Sequence, residues 1–459
     1  MAAERIVVVG AGFAGLECVK RLEHKLRSEI DRGEIEVVVV SPHDYMLYLP
    51  LLPQVASGVI TTQAVTVSLP RAVKRAHRLP GSVIGVDLER STCVVRKISG
   101  DVVDLPYDRL VLAPGSVTRK FDIPGLDEHA LGMKNLAEAA YLRDHVISQL
   151  ELANASTDDA ERAARCQFVV VGGGYAGTET AACLQLLTES ALKRFPRLDP
   201  GLVRWTLVDI APRLMPELGV RLGEQALDLL RRRGIEIKLE TGVEEVTDEE
   251  VTLTDGTVLP TRTLVWTAGV TSSPLVKNLG VDLVRGRLKV GADLRLPSHE
   301  RVFALGDCAA VPDLTQDDPE AICPPTAQHA SRMATTAADN VVASLRGEAL
   351  RRYKHHDLGL VVDLGGTQAV AHPLGVQLTG AVAQAVTRGY HVFALPLTRT
   401  RLRVIANWVL HLFGGDEFIR IGFLSGAKGT VEEFESADAY LSADEVRDRA
   451  QTSGTAPRR

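Results

Sequence analysis

A strand–turn–helix segment occurs twice in this chain and narrows the range of possible folds more than any other feature. Residues 5–17 read RIVVVGAGFAGLE and residues 167–179 read QFVVVGGGYAGTE, with the first glycines 162 residues apart. In each segment a β-branched run leads into a glycine-rich turn, and a helix-compatible stretch follows. This order forms the phosphate-binding unit of dinucleotide-binding domains. The repeat therefore predicts two such domains in one chain.

Other short apolar runs predict the remaining strands of two parallel sheets. They lie at residues 36–40, 110–113, 205–209, 263–267 and 302–305. An Asp-Gly pair at 255–256 predicts a hairpin over 251–259, and the polar segment 154–163 is typical of a linker or a frayed helix end. The pattern predicts an α/β fold with two Rossmann-like dinucleotide-binding domains and a further C-terminal α/β region.

Composition excludes several other classes of protein. The chain has 459 residues, 45% hydrophobic and 24% charged, which is typical of a globular protein. Its 52 basic and 58 acidic residues give a net charge of −6, so nucleic-acid binding is not favoured. We find no apolar run long enough to span a bilayer and no secretory signal. We therefore expect a cytoplasmic protein that at most lies peripherally on the cytoplasmic face of a membrane.

The first glycine turn is expected to bind a pyrophosphate. Gly10 permits the tight bend, Gly12 lets the backbone approach the phosphates, and Gly15 allows close packing of helix on strand. The helix N-terminus then offers free N–H groups and a partial positive charge. Phe13 and Ala14 complete this turn, and the second turn places Gly172, Gly174, Tyr175, Ala176 and Gly177 in the same roles. A tight turn without a ligand is the alternative for each turn alone.

Asp209 ends the strand that follows the second turn, 37 residues beyond its first glycine. An acid at this position accepts hydrogen bonds from the ribose 2′-hydroxyl and disfavours a 2′-phosphate, so NADH is expected over NADPH. Arg213, four residues further on, tempers that preference. The corresponding strand after the first turn ends at Ser41, whose hydroxyl can still bind a ribose. A solvated strand end is the alternative reading of Asp209.

Several other predicted strands also end in glycine. They are followed by Ala113-Pro114-Gly115, by Ala268-Gly269 and by Gly306-Asp307. Because cofactors bind at the carboxyl edge of a parallel sheet, the Asp307 carboxylate is well placed to accept hydrogen bonds from a polyol. A single Gly-Asp pair is otherwise typical of an ordinary turn.

The order of these motifs resembles that of the two-dinucleotide-domain flavoprotein reductases of the glutathione reductase superfamily. Within it, the chain resembles the type II NADH dehydrogenases, which are single-subunit NADH:quinone oxidoreductases. The stretches that carry this resemblance are SPHDYMLYLPLLP at 41–53, CPPTAQ at 323–328 and GTETA at 177–181. The disulfide branches of the superfamily fit poorly, because none of the six cysteines forms a CxxxxC or CxxC pair. We expect neither a metal site nor a redox-active disulfide.

The resemblance implies that the first turn binds FAD and the second binds NADH. It implies that Asp307 contacts the ribityl chain, that Glu179 lies near the nicotinamide and the flavin, and that Gln328 orients a quinone. The other residues expected around FAD are Ser41, Pro42, Ala113, Pro114, Gly115, Gly306, Thr326, Ala327 and Gln328. Those expected around NADH, besides its turn and Glu179, are Asp209, Arg213, Ala268 and Gly269. Those expected around the quinone are Pro50, Leu51, Leu52, Gln328 and Arg332.

Domain bounds follow from the two turns and the resemblance. The FAD domain is expected in two parts, 1–125 and 286–375, with the NADH domain inserted at 126–285. Residues 376–459 then form a membrane-association or dimerisation region with a polar tail. In it, Leu402, Ile405, Val409, Leu412 and Phe413 recur at near-helical spacing beside Arg399, Arg401, Arg403 and Trp408. An interfacial helix with Trp408 at the lipid boundary, or a packing or homodimer helix, would account for this pattern.

Three functions are compatible with these motifs. The first is a non-electrogenic FAD enzyme that passes a hydride from NADH to flavin and two electrons to a quinone. The second is an NAD(P)H-dependent FAD reductase with a soluble or protein acceptor, which Arg332 favours because it replaces a second Gln common in the resembled family. The third is an NADH-sensing flavoprotein without significant turnover. A sulfide:quinone reductase would need cysteines at the flavin, where Cys308 and Cys323 are the candidates; buried, inert thiols are the alternative.

Overall fold

The computed structural model describes residues 3–355 and 358–420, together with residues 441, 442, 444, 445, 447 and 448. Most of the expected polar tail after residue 442 therefore lies outside the described residues. In chain order, the strands are β1 (Glu4–Val9), β2 (Ile35–Ser41), β3 (Tyr45–Leu47), β4 (Thr66–Ser68), β5 (His77–Asp87), β6 (Thr92–Lys97), β7 (Val102–Pro106), β8 (Arg109–Leu112), β9 (Ser116–Thr118), β10 (Gln167–Val171), β11 (Arg204–Val208), β12 (Ile235–Lys238), β13 (Val243–Val246), β14 (Glu250–Leu253), β15 (Val258–Pro260), β16 (Thr263–Trp266), β17 (Val270–Ser272), β18 (Leu283–Val284), β19 (Arg287–Lys289), β20 (Arg295–Leu296), β21 (His299–Ala304), β22 (Ala309–Ala310), β23 (Val361–Asp363), β24 (Ala369–Ala371) and β25 (Leu378–Thr379).

The helices alternate with these strands along most of the chain. They are α1 (Phe13–Lys25), α2 (Arg27–Asp31), α3 (Leu52–Ala56), α4 (Leu69–Ala72), α5 (Leu126–His129), α6 (Leu136–Ala155), α7 (Asp159–Arg165), α8 (Tyr175–Leu192), α9 (Val220–Arg232), α10 (Pro274–Lys277), α11 (Ala327–Arg346), α12 (Gly380–Ala394) and α13 (Thr398–Gly414).

The larger sheet is built around β1, whose residues from Ile6 to Val9 are buried. Its strand order is β20-β21-β8-β1-β2-β5-β6-β7. The pairs from β21 to β5 are parallel, and antiparallel strands complete both edges. Near-continuous Val and Ile runs suit such strands because helices cover both faces of a parallel sheet. The carboxyl ends of β1, β2, β8 and β21 therefore meet at one edge.

The smaller sheet repeats this arrangement around β10. Its order is β12-β11-β10-β16, and all three pairs are parallel. The chain passes between the two sheets through β9 and β17, which pair with each other antiparallel. Residues 116–118 and 270–272 thus form a two-stranded connection. The predicted α/β fold with two Rossmann-like sheets is confirmed.

Some local predictions need correction, whereas others are confirmed. The hairpin expected over 251–259 is present as β14 and β15. The polar segment 154–163 is only partly a linker, because Asp158 caps helix α7 by accepting N–H bonds from Ala160 and Glu161. A capping carboxylate supplies partners for otherwise unpaired N–H groups and so starts a helix in a polar stretch.

The C-terminal part adds a small sheet and two helices. Strands β23, β24 and β25 are antiparallel, α12 packs on them, and α13 follows. Within the residues that the structure describes, no helix is sufficiently long and apolar to cross a bilayer.

Candidate functional site

The first glycine turn has the geometry of a phosphate cradle. Gly10 has φ +90°, and a Cβ there would lie 2.3 Å from the carbonyl oxygen of Ala113. A Cβ on Gly15 would lie 1.9 Å from the carbonyl oxygen of Gly10, whereas one on Gly12 would meet open space. Packing therefore requires glycine at Gly10 and Gly15, while Gly12 leaves room for a ligand. Because Gly12 is also the N-cap of α1 and has no side chain, the first N–H groups of the helix can serve a phosphate.

The second turn repeats these relationships at the edge of the smaller sheet. Gly172 has φ +111°, and its Cβ would lie 2.7 Å from Oγ1 of Thr267. A Cβ on Gly177 would lie 1.9 Å from the carbonyl oxygen of Gly172, and one on Gly174 would meet nothing within 4 Å. Helix α8 likewise starts at a glycine N-cap without a side-chain cap. Each sheet therefore has one open phosphate-binding turn.

Asp307 lies in a short 3-10 turn, Gly306–Cys308, after β21. Gly306 packs between α1 and α11, since a Cβ there would lie 3.3 Å from Cβ of Ala14 and 3.5 Å from Cβ of Ala330. This packing brings the Gly-Asp turn beside the first glycine turn. The backbone cradle and a carboxylate beside it fit a phosphate-bearing polyol such as FAD.

Two residues that are distant in sequence, Lys134 and Ser116, form a series of hydrogen bonds that ends at Asp307. Ser116 Oγ donates to Oδ2 of Asp307 at 2.6 Å, and Lys134 Nζ donates to Ser116 Oγ at 2.9 Å. Ser116 begins the interdomain strand β9, and Lys134 precedes α6. The sequence analysis missed both residues, because neither a lone serine nor a lone lysine carries a motif.

Asp209 lies immediately after β11, beside the second glycine turn. Its carboxylate accepts hydrogen bonds from the N–H groups of Gly173 and Ala211, the latter at 2.6 Å. Arg213 is exposed on the following loop. Ala268 and Gly269 follow β16 on the other side of this turn, and Gly269 has φ +94°. These residues therefore lie around one edge of the smaller sheet.

Ser41 ends β2, as expected, but its hydroxyl is engaged locally. Its Oγ donates to the carbonyl oxygen of His43 at 3.0 Å, and the residue is buried. Pro42 is exposed next to it. A ribose contact by the Ser41 hydroxyl would therefore compete with this turn.

The start of α11 lies next to the Gly306 turn. Thr326 is its N-cap and accepts a hydrogen bond from the N–H of His329 at 3.3 Å. Both polar atoms of the Gln328 side-chain amide form hydrogen bonds with the backbone of residues 358–359. Nε2 donates to the Gly359 carbonyl at 3.3 Å, and Oε1 accepts the Leu358 N–H at 3.1 Å. In this arrangement Gln328 holds the backbone of a neighbouring segment.

Arg332 lies one helical turn after Gln328 and carries a buried guanidinium nitrogen. Its Nη1 has no hydrogen-bond partner among the described residues. Its charge acts on the hydroxyls of Tyr353 and Tyr390, although burial raises the pKa of both phenols. A buried N–H group without an acceptor is costly, and a ligand oxygen would relieve that cost.

Glu179 lies in the second turn of α8 and is buried. Its Oε1 accepts a hydrogen bond from the backbone N–H of Asp363 at 2.8 Å. Burial raises the pKa of Glu179 well above its usual value, and the nearby Asp363 carboxylate raises it further against the lowering effect of that N–H. The carboxyl group therefore tends to keep a proton.

The segment that contains Pro50, Leu51 and Leu52 forms a 3-10 turn followed by α3. Leu51 and Leu52 are at most 1% exposed and belong to the main core, whereas Pro50 is half-buried. Their described contacts are with the protein interior. Gln54, two residues further on, bonds the side chain of Asp363, a link that the sequence did not indicate.

The cysteines show no sign of redox activity. All six are free and buried. Burial raises the pKa of the Cys308 and Cys323 thiols to about 12, and both sulfurs face backbone carbonyl oxygens. Reactive thiols need a depressed pKa and access to solvent, so these two fit the expectation of inert thiols.

The amino-acid sequence is similar to those of known proteins over most of its length. The family profile for pyridine nucleotide-disulphide oxidoreductase matches residues 4–334. A Mycobacterium tuberculosis protein named type II NADH:quinone oxidoreductase Ndh is 32% identical over 423 residues, 88% of this chain and 87% of that protein. The demethylphylloquinone reductase NdbB of Synechocystis is 28% identical, with coverage of 89% and 96%.

The fold agrees with these matches. The structure of NDH2 from Plasmodium falciparum in complex with NADH superimposes with a TM-score of 0.81 at 18% identity, covering 91% of this chain and 99% of that one. Two open glycine turns, the Gly-Asp turn beside the first and the match over most of the chain agree with one another. The chain belongs to the pyridine nucleotide-disulphide oxidoreductase family and, within it, to the type II NADH:quinone oxidoreductases.

Proposed function

We propose that this protein transfers a hydride from NADH to FAD and passes two electrons on to a quinone in a non-electrogenic reaction. The observation that carries this proposal is the pair of open glycine turns on two parallel sheets, in a chain 32% identical to the M. tuberculosis quinone oxidoreductase. FAD, when bound, accepts the hydride and releases electrons to a second substrate. The chain itself binds, orients and desolvates the reactants.

The FAD site is assigned to the edge of the larger sheet. The turn from Gly10 to Gly15 would hold the pyrophosphate, and Asp307 would accept a polyol hydroxyl through Oδ1, because Ser116 already occupies Oδ2. The other residues assigned here are Ser41, Pro42, Ala113, Pro114, Gly115, Gly306, Thr326 and Ala327. The backbone that surrounds them comes from four strand ends and two helix starts, which suits a rigidly held cofactor.

The NADH site is assigned to the edge of the smaller sheet. The turn from Gly172 to Gly177 would hold the pyrophosphate, and Asp209 would accept the ribose hydroxyls. Glu179 would lie beside the nicotinamide as a neutral or shared-proton carboxyl, because burial favours its protonated form. A neutral carboxyl can donate a hydrogen bond to a carboxamide oxygen and adds no charge to repel the incoming phosphates.

The quinone is assigned to the neighbourhood of α11. Arg332 has a buried N–H that a quinone oxygen would satisfy, and its charge would stabilise the negative charge that develops there during reduction. A small surface cleft lined by Phe13, Leu16, Glu17, Met46, Ser331, Ala394 and Pro396 opens beside this helix. Gln328 would either form a hydrogen bond with the quinone or hold the backbone of residues 358–359 in place.

We also assign a lipid-binding role to the C-terminal helices. Apolar side chains on α13 and at the end of α12 are exposed, including Phe393 (78%), Leu402 (63%), Leu412 (74%) and Phe413 (84%). An exposed cluster of this kind marks an interaction surface, and an amphipathic helix can embed it at a bilayer interface. The alternative that places Trp408 at the lipid boundary is wrong, because the residue is 9% exposed and its Nε1 donates to the buried Gln54.

Sedimentation with anionic vesicles tests this lipid-binding surface. We expect wild-type protein to sediment with the vesicles and the double variant Leu412→Glu/Phe413→Glu to remain in the supernatant. Ile98→Glu is the control, because Ile98 is 73% exposed and lies after β6, outside α12 and α13. Equal sedimentation of all three proteins would contradict the assignment. Concentration-dependent dimerisation lost in the double variant would instead identify a second copy as the occupant.

Acceptor specificity tests the proposed reaction. Steady-state oxidation of NADH should be rapid with short-chain menaquinone or ubiquinone analogues under argon. Arg332→Gln should raise the KM for the quinone while leaving the reduction of ferricyanide, a one-electron acceptor that needs no quinone pocket, nearly unchanged. Turnover with ferricyanide but with no quinone analogue would contradict the proposal.

A further inference from the structure

A buried series of hydrogen bonds leads from helix α13 to Glu179. Trp408 Nε1 donates to Gln54 Oε1 at 2.7 Å, and Gln54 Nε2 donates to Asp363 Oδ2 at 2.6 Å. The N–H of Asp363 donates to Glu179 Oε1 at 2.8 Å. All four residues are at most 9% exposed. We call these four residues the Trp408 network.

The network joins four elements that are distant in sequence. Trp408 lies on α13, Gln54 on α3, Asp363 at the end of β23 and Glu179 on α8. Asp363 also accepts hydrogen bonds at Oδ1 from Gln384 Nε2 of α12 at 3.1 Å and from the N–H of Gly365 at 2.7 Å. Both C-terminal helices therefore contribute to fixing one carboxylate.

Trp408 determines which way the Gln54 amide points. An indole N–H can only donate, so the amide oxygen must face it, and the amide NH₂ then faces Asp363. A carboxylate oxygen can only accept, so this orientation satisfies both neighbours. Without the indole donor, the amide oxygen would be buried without a partner and the preference for one orientation would weaken.

The indole itself is held in place. The Arg388 guanidinium lies 5.2 Å from its ring centroid, and Arg388 Nη2 donates to the Gly366 carbonyl at 3.3 Å. The charged and titratable groups that act on the two carboxyls are Arg388 from α12, Arg233, which follows α9, and the Cys183 thiol from α8. None of them forms a salt bridge with Glu179 or Asp363 among the described residues.

We propose that Trp408, acting through Gln54, is a positioning residue that fixes Asp363 and thereby Glu179 at the nicotinamide side of the site. The proposal rests on the function assigned above to Glu179. The Asp363 carboxylate is tied to α3 and α12, so its backbone N–H holds Glu179 Oε1 in one place. Oε2, for which the structure shows no hydrogen bond, would then be left to bind the ligand.

Trp408→Phe tests this positioning role because it removes the N–H donor and keeps an aromatic ring, although a smaller one. We expect anaerobic flavin reduction by NADH to slow about threefold to tenfold, with the Kd for NADH changed less, since one buried hydrogen bond is lost. Trp205→Phe is the matched control. Trp205 is also buried and also donates to a side chain, Thr188 Oγ1 at 3.0 Å, but it lies in the smaller sheet's core.

A double-mutant cycle separates positioning from general destabilisation. In a Glu179→Gln background, Trp408→Phe should have no further effect on flavin reduction, because its effect acts through Glu179. Gln54→Leu should behave like Trp408→Phe, and it serves as the second route if the tryptophan variant does not fold. The pH profile of flavin reduction should shift in both single variants and stay unchanged in Trp205→Phe.

The outcomes distinguish this inference from the proposed role of Glu179. Normal flavin reduction in Glu179→Gln would overturn the assigned role and the inference with it. Slow reduction in Glu179→Gln but normal reduction in both Trp408→Phe and Gln54→Leu would overturn the inference alone. Equal slowing by Trp408→Phe with and without Glu179 would also overturn it, because the effect would then be structural.

Discussion

The carboxyl group of Glu179 is held by the backbone N–H of Asp363 at 2.8 Å, although both residues carry buried acidic side chains. Burial and the Asp363 carboxylate both raise the pKa of Glu179, so the two acids are tolerated because one can keep its proton. The arrangement links the nicotinamide side of the site to the C-terminal helices and leads to a stability prediction.

The Tm of Glu179→Gln minus the Tm of wild type should increase as the pH rises from 5 to 8. The folded-state pKa of Glu179 is raised, so above the usual value of 4.5 the folded protein binds more protons than the unfolded chain. Stability from this group is therefore present at low pH and lost as pH rises. The measurement is the difference in Tm between variant and wild-type holoprotein at both pH values. A difference that is constant with pH would contradict the account, and Glu245→Gln, on the surface, is the control.

His145 gives a prediction of opposite sign. Burial lowers its pKa from 6.5 to about 4 in the folded protein, against the hydrogen bond to the carbonyl of Arg262. The unfolded chain therefore binds more protons between pH 6.5 and 4, and stability falls by roughly 3 kcal/mol over this window as the pH drops. Between pH 7 and pH 4.5, the free energy of unfolding measured with urea should fall less for His145→Gln than for wild type. His24→Gln, on an exposed face of α1, should lose as much as wild type.

Gly12→Ala and Gly174→Ala should separate the two cofactor sites. A Cβ at either position meets open space, so both variants should fold with a Tm close to that of wild type. In each variant the added methyl group would meet the pyrophosphate of the bound cofactor. Gly12→Ala should therefore be purified with less FAD. Gly174→Ala should keep its FAD and show a KM for NADH raised by about tenfold or more. Loss of FAD from Gly174→Ala would contradict the assignment.

Asp209→Ala should shift the cofactor preference towards NADPH. Removing the carboxylate removes the acceptor for the ribose hydroxyls and its repulsion of a 2′-phosphate. The ratio of kcat/KM for NADH to that for NADPH should fall by about tenfold or more. Because the carboxylate also accepts the Gly173 N–H, Asp209→Asn serves as the variant that retains an acceptor there. An unchanged ratio in both variants would place the ribose elsewhere.

The series Lys134–Ser116–Asp307 should act as one unit in retaining FAD. Lys134→Met and Ser116→Ala should each weaken FAD binding by about threefold to tenfold, and the double variant should be no worse than Ser116→Ala alone. Lys120→Met is the control, because Lys120 forms a surface pair with Asp127. Equilibrium FAD titration of the apoprotein checks this prediction, and additive losses would show that Lys134 does not act through Ser116.

The sequence could predict those parts of the fold that depend on local chemistry. Gly10, Gly15, Gly172 and Gly177 are required by backbone conformation or by contacts below 3 Å, so the motif and the fold depend on the same physical constraint. Alternating and β-branched runs also predict the strands, because the preference for strand depends on neighbouring residues in the sequence. The α/β fold with two dinucleotide-binding sheets follows from these features.

The polar contacts behind the site could not be predicted in this way. Gln54 meets Asp363 across 309 residues and Trp408 across 354, and no pattern in a single sequence encodes such pairs. The apolar residues near Trp408 on α13 suggest a lipid boundary in one of the two sequence-based interpretations and a packing helix in the other. The side chain faces inward, where its N–H finds a buried acceptor. The signal available in the sequence was the run that ends at Asp363 before two glycines, an acid at a strand end like Asp209.

Anaerobic stopped-flow mixing tests the central claim most directly. Purified holoprotein is mixed with NADH while the flavin absorbance is followed, and a short-chain menaquinone or ubiquinone analogue is then added. The account predicts rapid bleaching by NADH, slower bleaching by NADPH, and rapid recovery of the oxidised flavin with the quinone. Bleaching without recovery by any quinone analogue would contradict quinone reduction, and absence of bleaching by NADH would contradict the assignment of both cofactor sites.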